Sequence, residues 1–168
     1  MATYEFFKKK FEFRGKHARM AEELWKLNDY EHTYFKRLID LYIISAVIGF
    51  RIDRSAEEDY SPVEPKSIFP EQMINAKEDL DFIMESMIML SNGGRLSDEE
   101  CVKLAFRGAQ TDKEFQRYQE MFNGYVRGGV EELYERIIVR KAEPDDAFQD
   151  NKVSNLVELM KRFGQKRI

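Results

Sequence analysis

Asp29 and His32 stand three residues apart, a spacing that puts a carboxylate and an imidazole on one face of a helix. Di-iron bundles use this spacing twice and add glutamates from two further helices. The other histidine, His17, has Arg14 three residues before it and no carboxylate at that spacing, so the pattern has no second half. Asp29-Tyr30-Glu31-His32 is therefore expected to be a charged, solvated helix start. Zinc needs about four Cys or His ligands, or three with a carboxylate. Cys101, His17 and His32 are too scattered to supply them.

Nucleophilic catalysis calls for a Ser or Cys held beside a base, and no nucleophile-elbow pattern is present. Cys101 follows Glu99 and Glu100 in the first turn of an expected helix. The helix end lowers a thiol pKa and the neighbouring carboxylates raise it; a packing cysteine is expected. The acidic groups Glu57-Glu58-Asp59 and Glu78, Asp79, Asp81, Glu85 could hold Mg²⁺ with a nucleotide, but Gly93-Gly94 and Gly128-Gly129 lack the phosphate-loop pattern. A small helical RNase would carry an Arg four to six residues ahead of a His, and neither histidine has one. No catalytic residue, cofactor or metal is expected.

Two sets of residues remain as binding candidates. The first is basic: Lys8, Lys9, Lys10, Arg14, Lys16 and Arg19, interleaved with Phe6, Phe7, Phe11 and Phe13. Cations that follow a phosphate backbone beside rings that stack on bases make a single-strand nucleic-acid site. The competing expectation is that the rings cap the core while the lysines stay in water. The second set would face a protein partner: Met84, Met87 and Met89 on a methionine-rich helix, with Tyr125, Gly128 and Gly129. Methionine suits adaptable surfaces as well as irregular cores. Glycines within a helical pattern cost stability unless something must approach closely.

These residues sit on elements that periodicity defines. Phe11-Glu12-Phe13-Arg14 alternates like a short strand, and residues 1–16 read as an extended arm. Helices are expected over residues 17–27, 30–51, 71–91 and 97–106. A further helix should open at Thr111 and be interrupted or kinked at Gly128-Gly129, and a last one is expected over 153–164. Ser97-Asp98-Glu99-Glu100 and Thr111-Asp112-Lys113-Glu114 are capping boxes. Residues 52–69 read as a long acidic loop and 143–149 as a second loop. Residues 96–106 and 112–122 have the outline of a helix-turn-helix, but the mixed charge of the second helix makes a poor groove reader.

The expectation is an all-α, compact helical bundle of six or seven helices in a single domain over residues 1–168, with a short extended N-terminal arm. One cysteine excludes an internal disulfide and suits a reducing compartment. The longest apolar run, residues 41–50, is about half of a membrane span, so a cytoplasmic protein without membrane contact is expected. Residues 55–100 hold twelve acidic and three basic groups, which weighs against a global grip on nucleic acid. Residues 41–50 and 82–90 are apolar on nearly every side. Two such helices exceed what one small core readily covers, so a protein partner or a homo-oligomer is expected. The functional expectation is a non-catalytic accessory or adaptor subunit acting through protein–protein contacts, of the kind that joins larger bacterial multi-component assemblies. The alternative is a nucleic-acid-binding component using the basic aromatic arm.

Overall fold

Two helices cross so closely that their backbones touch. Helix α2 (Leu38–Ile52) and helix α6 (Asp112–Tyr134) make the most extensive packing in the computed structural model, which describes residues 4–92, 94–140, 156–157 and 159–161. A Cβ on Gly129 would overlap the Ser45 carbonyl oxygen, and one on Gly49 would overlap the carbonyl oxygen of Tyr125. Gly128 takes the Arg54 carbonyl in the same way. Contrary to the expectation from its helix propensity, the Gly128-Gly129 pair therefore does not interrupt the helix. It runs unbroken to Tyr134 because the space left by the missing side chains is filled by another backbone. A π-helical turn, Glu135–Val139, follows.

Around this pair stand α1 (Gly15–Leu24), α3 (Pro70–Asn75), α4 (Lys77–Ser91) and α5 (Asp98–Arg107). Residues 156–157 and 159–161 are helical too, and Leu156 and Leu159 pack on the core. The expected loop at 143–149 and the ends of the last helix lie outside the described residues. The all-α expectation holds, with one small exception. Strand β1 (Phe11–Phe13) pairs antiparallel with β2 (Lys66–Ile68) in the register Phe11↔Ile68, Glu12↔Ser67, Phe13↔Lys66. Three residues carry too little periodicity to announce a strand inside the stretch read as a loop. The pairing also ties the N-terminal segment down, so what is described of residues 1–16 is part of the body and not an arm. Phe6, Phe7 and Phe13 are core residues.

The Ser97–Glu100 capping box forms as read, whereas at Thr111 only the N-cap half forms, because the Glu114 carboxylate accepts the Gln110 amide at 2.9 Å instead of the Thr111 amide. The Glu100 amide donates to Ser97 Oγ at 3.3 Å and the Glu114 amide to Thr111 Oγ1 at 3.2 Å. Helix α2, expected from residue 30, begins at Leu38. Upstream, Thr33 Oγ1 accepts the Lys26 amide at 3.0 Å and donates to the Phe35 carbonyl at 2.7 Å. Asn28 adopts φ 62°. Local side-chain bonds of this kind compete with helix formation. Likewise the single helix expected over 71–91 is broken at Ala76, with φ −98° and ψ 5°, into α3 and α4.

If backbone contact is what α2 and α6 require, Gly129→Ala forces them apart. It is expected to cost at least about 2 kcal/mol. Gly94→Ala, where the added methyl meets open space at φ 86°, should cost only about 1 kcal/mol from backbone conformation. Urea unfolding of the two variants against the parent chain measures the difference.

Candidate functional site

The chain leaves α2 through Asp53, whose left-handed conformation (φ 55°, ψ 44°) turns residues 54–56 onto α6. There the Ala56 amide donates to the Gly124 carbonyl at 3.0 Å, and Arg127 Nε donates to the Ala56 carbonyl at 2.7 Å. This strap lies over the glycine side of α6 and delivers Arg54 to three carboxylates. The guanidinium reaches Glu131 at 3.0 Å, Glu132 at 3.0 Å and Glu135 at 2.7 and 2.9 Å. Glu132 is held from its other side by Arg136 at 3.2 Å.

Helix α1 closes the cluster. Gly15, at φ 55°, sits against the Asp59 carboxylate, which accepts the Lys16 amide at 2.6 Å. Lys16 Nζ and His17 Nε2 both stand 2.9 Å from Glu131 Oε1. His17 is fully enclosed, at 0% exposure. Burial depresses its pKa more than Glu131 raises it, so the ring is neutral. Since Glu131 needs a donor, the proton sits on Nε2. Nδ1 is then a bare acceptor with no partner among the described residues. Burial pushes the Glu131 carboxyl up, but hydrogen bonds from Lys16, His17 and Arg54 outweigh it and hold it below the usual carboxylate value. The hydrogen bond from Arg54 does the same for Glu135.

A histidine–glutamate pair is a familiar acid–base unit, but here its proton is committed and its ring is out of reach of any substrate. We read the cluster as a structural latch joining α1, the strap and α6. Nothing in the sequence flags it, because His17 and Glu131 are 114 residues apart. Beside the latch a depression of about 460 Å³ is bordered by Glu57, Glu58, Glu120 and Arg127. Among the described residues no three His, Cys, Asp or Glu side chains gather closely enough to hold a metal ion.

The basic candidates are mostly engaged. Lys8 pairs with Glu5, and Lys10 and Arg14 both reach Glu12 at 2.7 Å. Lys16 belongs to the latch. Lys9 and Arg19 are exposed and have no ion pair among the described residues. The rings meant to stack on bases face inward. Phe6 stacks on Phe115 with centroids 4.9 Å apart, and Phe7 meets Phe122 edge-on at 4.8 Å. Phe11, half-buried, lies against Tyr42 at 4.8 Å. In the helix-turn-helix outline, Tyr118 and Phe122 of the second helix are likewise spent on the core.

The partner candidates also turn inward. Met84 and Met87 are each 1% exposed, and Met89 is half-buried against the core. Gly128 and Gly129 are filled by the backbones of Arg54 and Ser45. The Tyr125 hydroxyl donates to Asp53 Oδ1 at 3.1 Å. None of these offers a free contact surface apart from the outer part of Met89 and Tyr125. The outward residues of α4 are Phe82, 70% exposed, and Leu90, 65% exposed. On α5, Val102 and Phe106 point out, Phe106 at 70%. The phase of Leu80, Met84, Met87 and Ile88 marks the buried stripe of α4, and it leaves Phe82 on the far side. That signal is present in the sequence.

Compared with protein-family models, with curated proteins and with solved structures, the chain matches none.

Two outcomes test the latch. The unfolded chain protonates His17 near the ordinary value of 6.5, and the folded chain only at lower pH. Between those values the unfolded state binds the extra proton. Stability therefore falls as pH drops below 6.5, by up to about 1.4 kcal/mol per pH unit. His17→Gln keeps a donor for Glu131 and cannot titrate. Its urea midpoint should fall less between about pH 7 and about pH 5.5 than that of the parent chain. The contribution of Glu131 and Glu135 is present above 4.5 and is lost only as pH falls through their lowered folded values. Separately, Arg54→Met strands three carboxylates together and is expected to cost about 3 kcal/mol. Arg54→Lys should recover little of this, because one ammonium cannot fork across them.

Proposed function

We propose that this chain is a non-catalytic accessory subunit that works through protein–protein contacts. What carries this reading is the outward placement of large apolar side chains on the neighbouring helices α4 and α5, with Phe82 and Phe106 each 70% exposed. Each ring, once covered, contributes about 2 kcal/mol. Scattered exposed leucines need no explanation; two phenylalanines with Leu90 and Val102 on one packed helix pair are a concentration of the kind interfaces use. The inner chemistry points the same way. His17, Glu131, Arg54 and Arg127 are committed to holding elements together, which supports a scaffold over an active site.

The nucleic-acid alternative loses its stacking rings to the core and keeps Lys9 and Arg19 as its uncommitted cations. No described helix is long and apolar enough to cross a membrane.

The double variant Phe82→Ser, Phe106→Ser removes no core contact and is expected to unfold within about 0.5 kcal/mol of the parent chain. In affinity capture from a lysate of the native cell, it should lose a protein that the parent chain retains. A titration with single-stranded DNA and RNA at rising salt gives the contrary outcome. Tight, steeply salt-dependent binding that disappears in Lys9→Ala, Arg19→Ala sinks the proposal.

A further inference from the structure

The outward side of α4 is acidic as well as apolar. From Phe69 to Phe106 the chain carries eight carboxylates and three cations. Two of those cations are consumed within the segment: Lys77 by Asp81 at 2.5 Å and Lys103 by Glu99 at 2.8 Å. Glu78 and Asp79 are exposed in the first turn of α4, one turn ahead of Phe82. Glu85 flanks Phe82 on the next turn. Phe82 and Leu90 lie two turns apart, about 12 Å along the helix axis. The result is a ridge whose apolar ends, Phe82 and Leu90, are joined by Ser86, whose hydroxyl donates to the Phe82 carbonyl at 2.8 Å; carboxylates stand at its N-terminal end and along one flank, and no described cation pairs with Glu78, Asp79 or Glu85.

We propose that this ridge docks a basic amphipathic helix of a partner protein, whose apolar side chains cover Phe82 and Leu90 and whose lysines or arginines meet Glu78, Asp79 and Glu85. Complementary charge selects this occupant. Helix α4 of a second copy set against the same face brings no free cation to these carboxylates, since its one basic residue, Lys77, is paired with Asp81. The basic N-terminal segment of a second copy is a poor substitute, since Lys8, Lys10, Arg14 and Lys16 are already paired. Nucleic acid and anionic lipid surfaces are repelled by the same carboxylates. The ridge itself favours a helical partner, because side chains four and eight residues apart on one helix form rows into which another helix packs.

The inference rests on the accessory-subunit reading and narrows it. The test uses the full chain and a designed helical peptide with leucines on one face and lysines flanking them, followed by fluorescence anisotropy. A matched peptide with glutamates in place of the lysines is the control. The lysine peptide is expected to bind saturably and to weaken as salt rises. Its affinity should fall at least tenfold in Phe82→Ser and again in Glu78→Lys with Asp79→Lys, while circular dichroism and thermal unfolding stay those of the parent chain. Equal binding of both peptides overturns the inference, as does binding that ignores Phe82→Ser. If neither peptide binds and light scattering shows self-association that Phe82→Ser abolishes, the stated partner chemistry is wrong while the protein-contact reading stands. If neither peptide binds, the chain stays monomeric, and capture of a native partner is unaffected by the loss of Phe82 and Phe106, both fall.

Discussion

Where α2 crosses α6, the carbonyl oxygens of Ser45 and Tyr125 occupy the places that side chains at 129 and 49 would need. This backbone contact is the constraint from which the rest of the architecture follows. It sets the crossing distance of α2 and α6, and so the width of the space that Tyr42, Phe122, Val126 and Val130 must fill. It also fixes where the chain emerges at Asp53. Because Gly128 accepts the Arg54 carbonyl, the segment after α2 lies flat on α6 instead of looping into solvent.

That geometry explains the distribution of charge. A guanidinium laid on α6 needs carboxylates at helical spacing, and Glu131, Glu132 and Glu135 provide them. With Lys16 and His17 added from α1, the carboxylates of Glu131 and Glu135 are held ionised in spite of their partial burial. Burying an unmatched set of three carboxylates is prohibitive; here each negative group has a cationic or hydrogen-bonding partner. Much of the basic character of the first nineteen residues is consumed the same way, in pairs with Glu5, Glu12 and Glu131. Among the described residues, Glu78 and Asp79 of α4 have no such complement, and Phe82 of α4 and Phe106 of α5 have no cover. On α4 the exposed Phe82 and Leu90 lie beside Glu78 and Asp79, while the methionine side of the helix is spent on the core.

The helical class, the Ser97 capping box, the Thr111 N-cap, the end of α4 at Ser91 and the buried stripe Leu80, Met84, Met87, Ile88 depend on neighbours three or four residues away, and the amino-acid order displays them directly. Helix propensity marks Gly128-Gly129 as a break where the structure has a continuous helix, since propensity counts what glycine loses and not what can then approach it. The methionines show the same boundary. Their type suited both a surface and a core, and the phase of the helix decided for the core.

Other features were decided by tertiary structure alone. β2 exists because Phe11–Phe13 arrives beside Lys66–Ile68. The latch exists because α1 and α6 bring His17 to Glu131. The burial of Phe6 and Phe7 follows from where Phe115 and Phe122 stand. In each case the partners are separated by dozens of residues, and no local period records which distant segment the chain will meet. The amino-acid order by itself set the elements and their apolar faces, because hydrogen bonding and side-chain spacing along a helix are local. The path of the chain set which charges are spent and which remain free, because electrostatic pairing depends on distance through space.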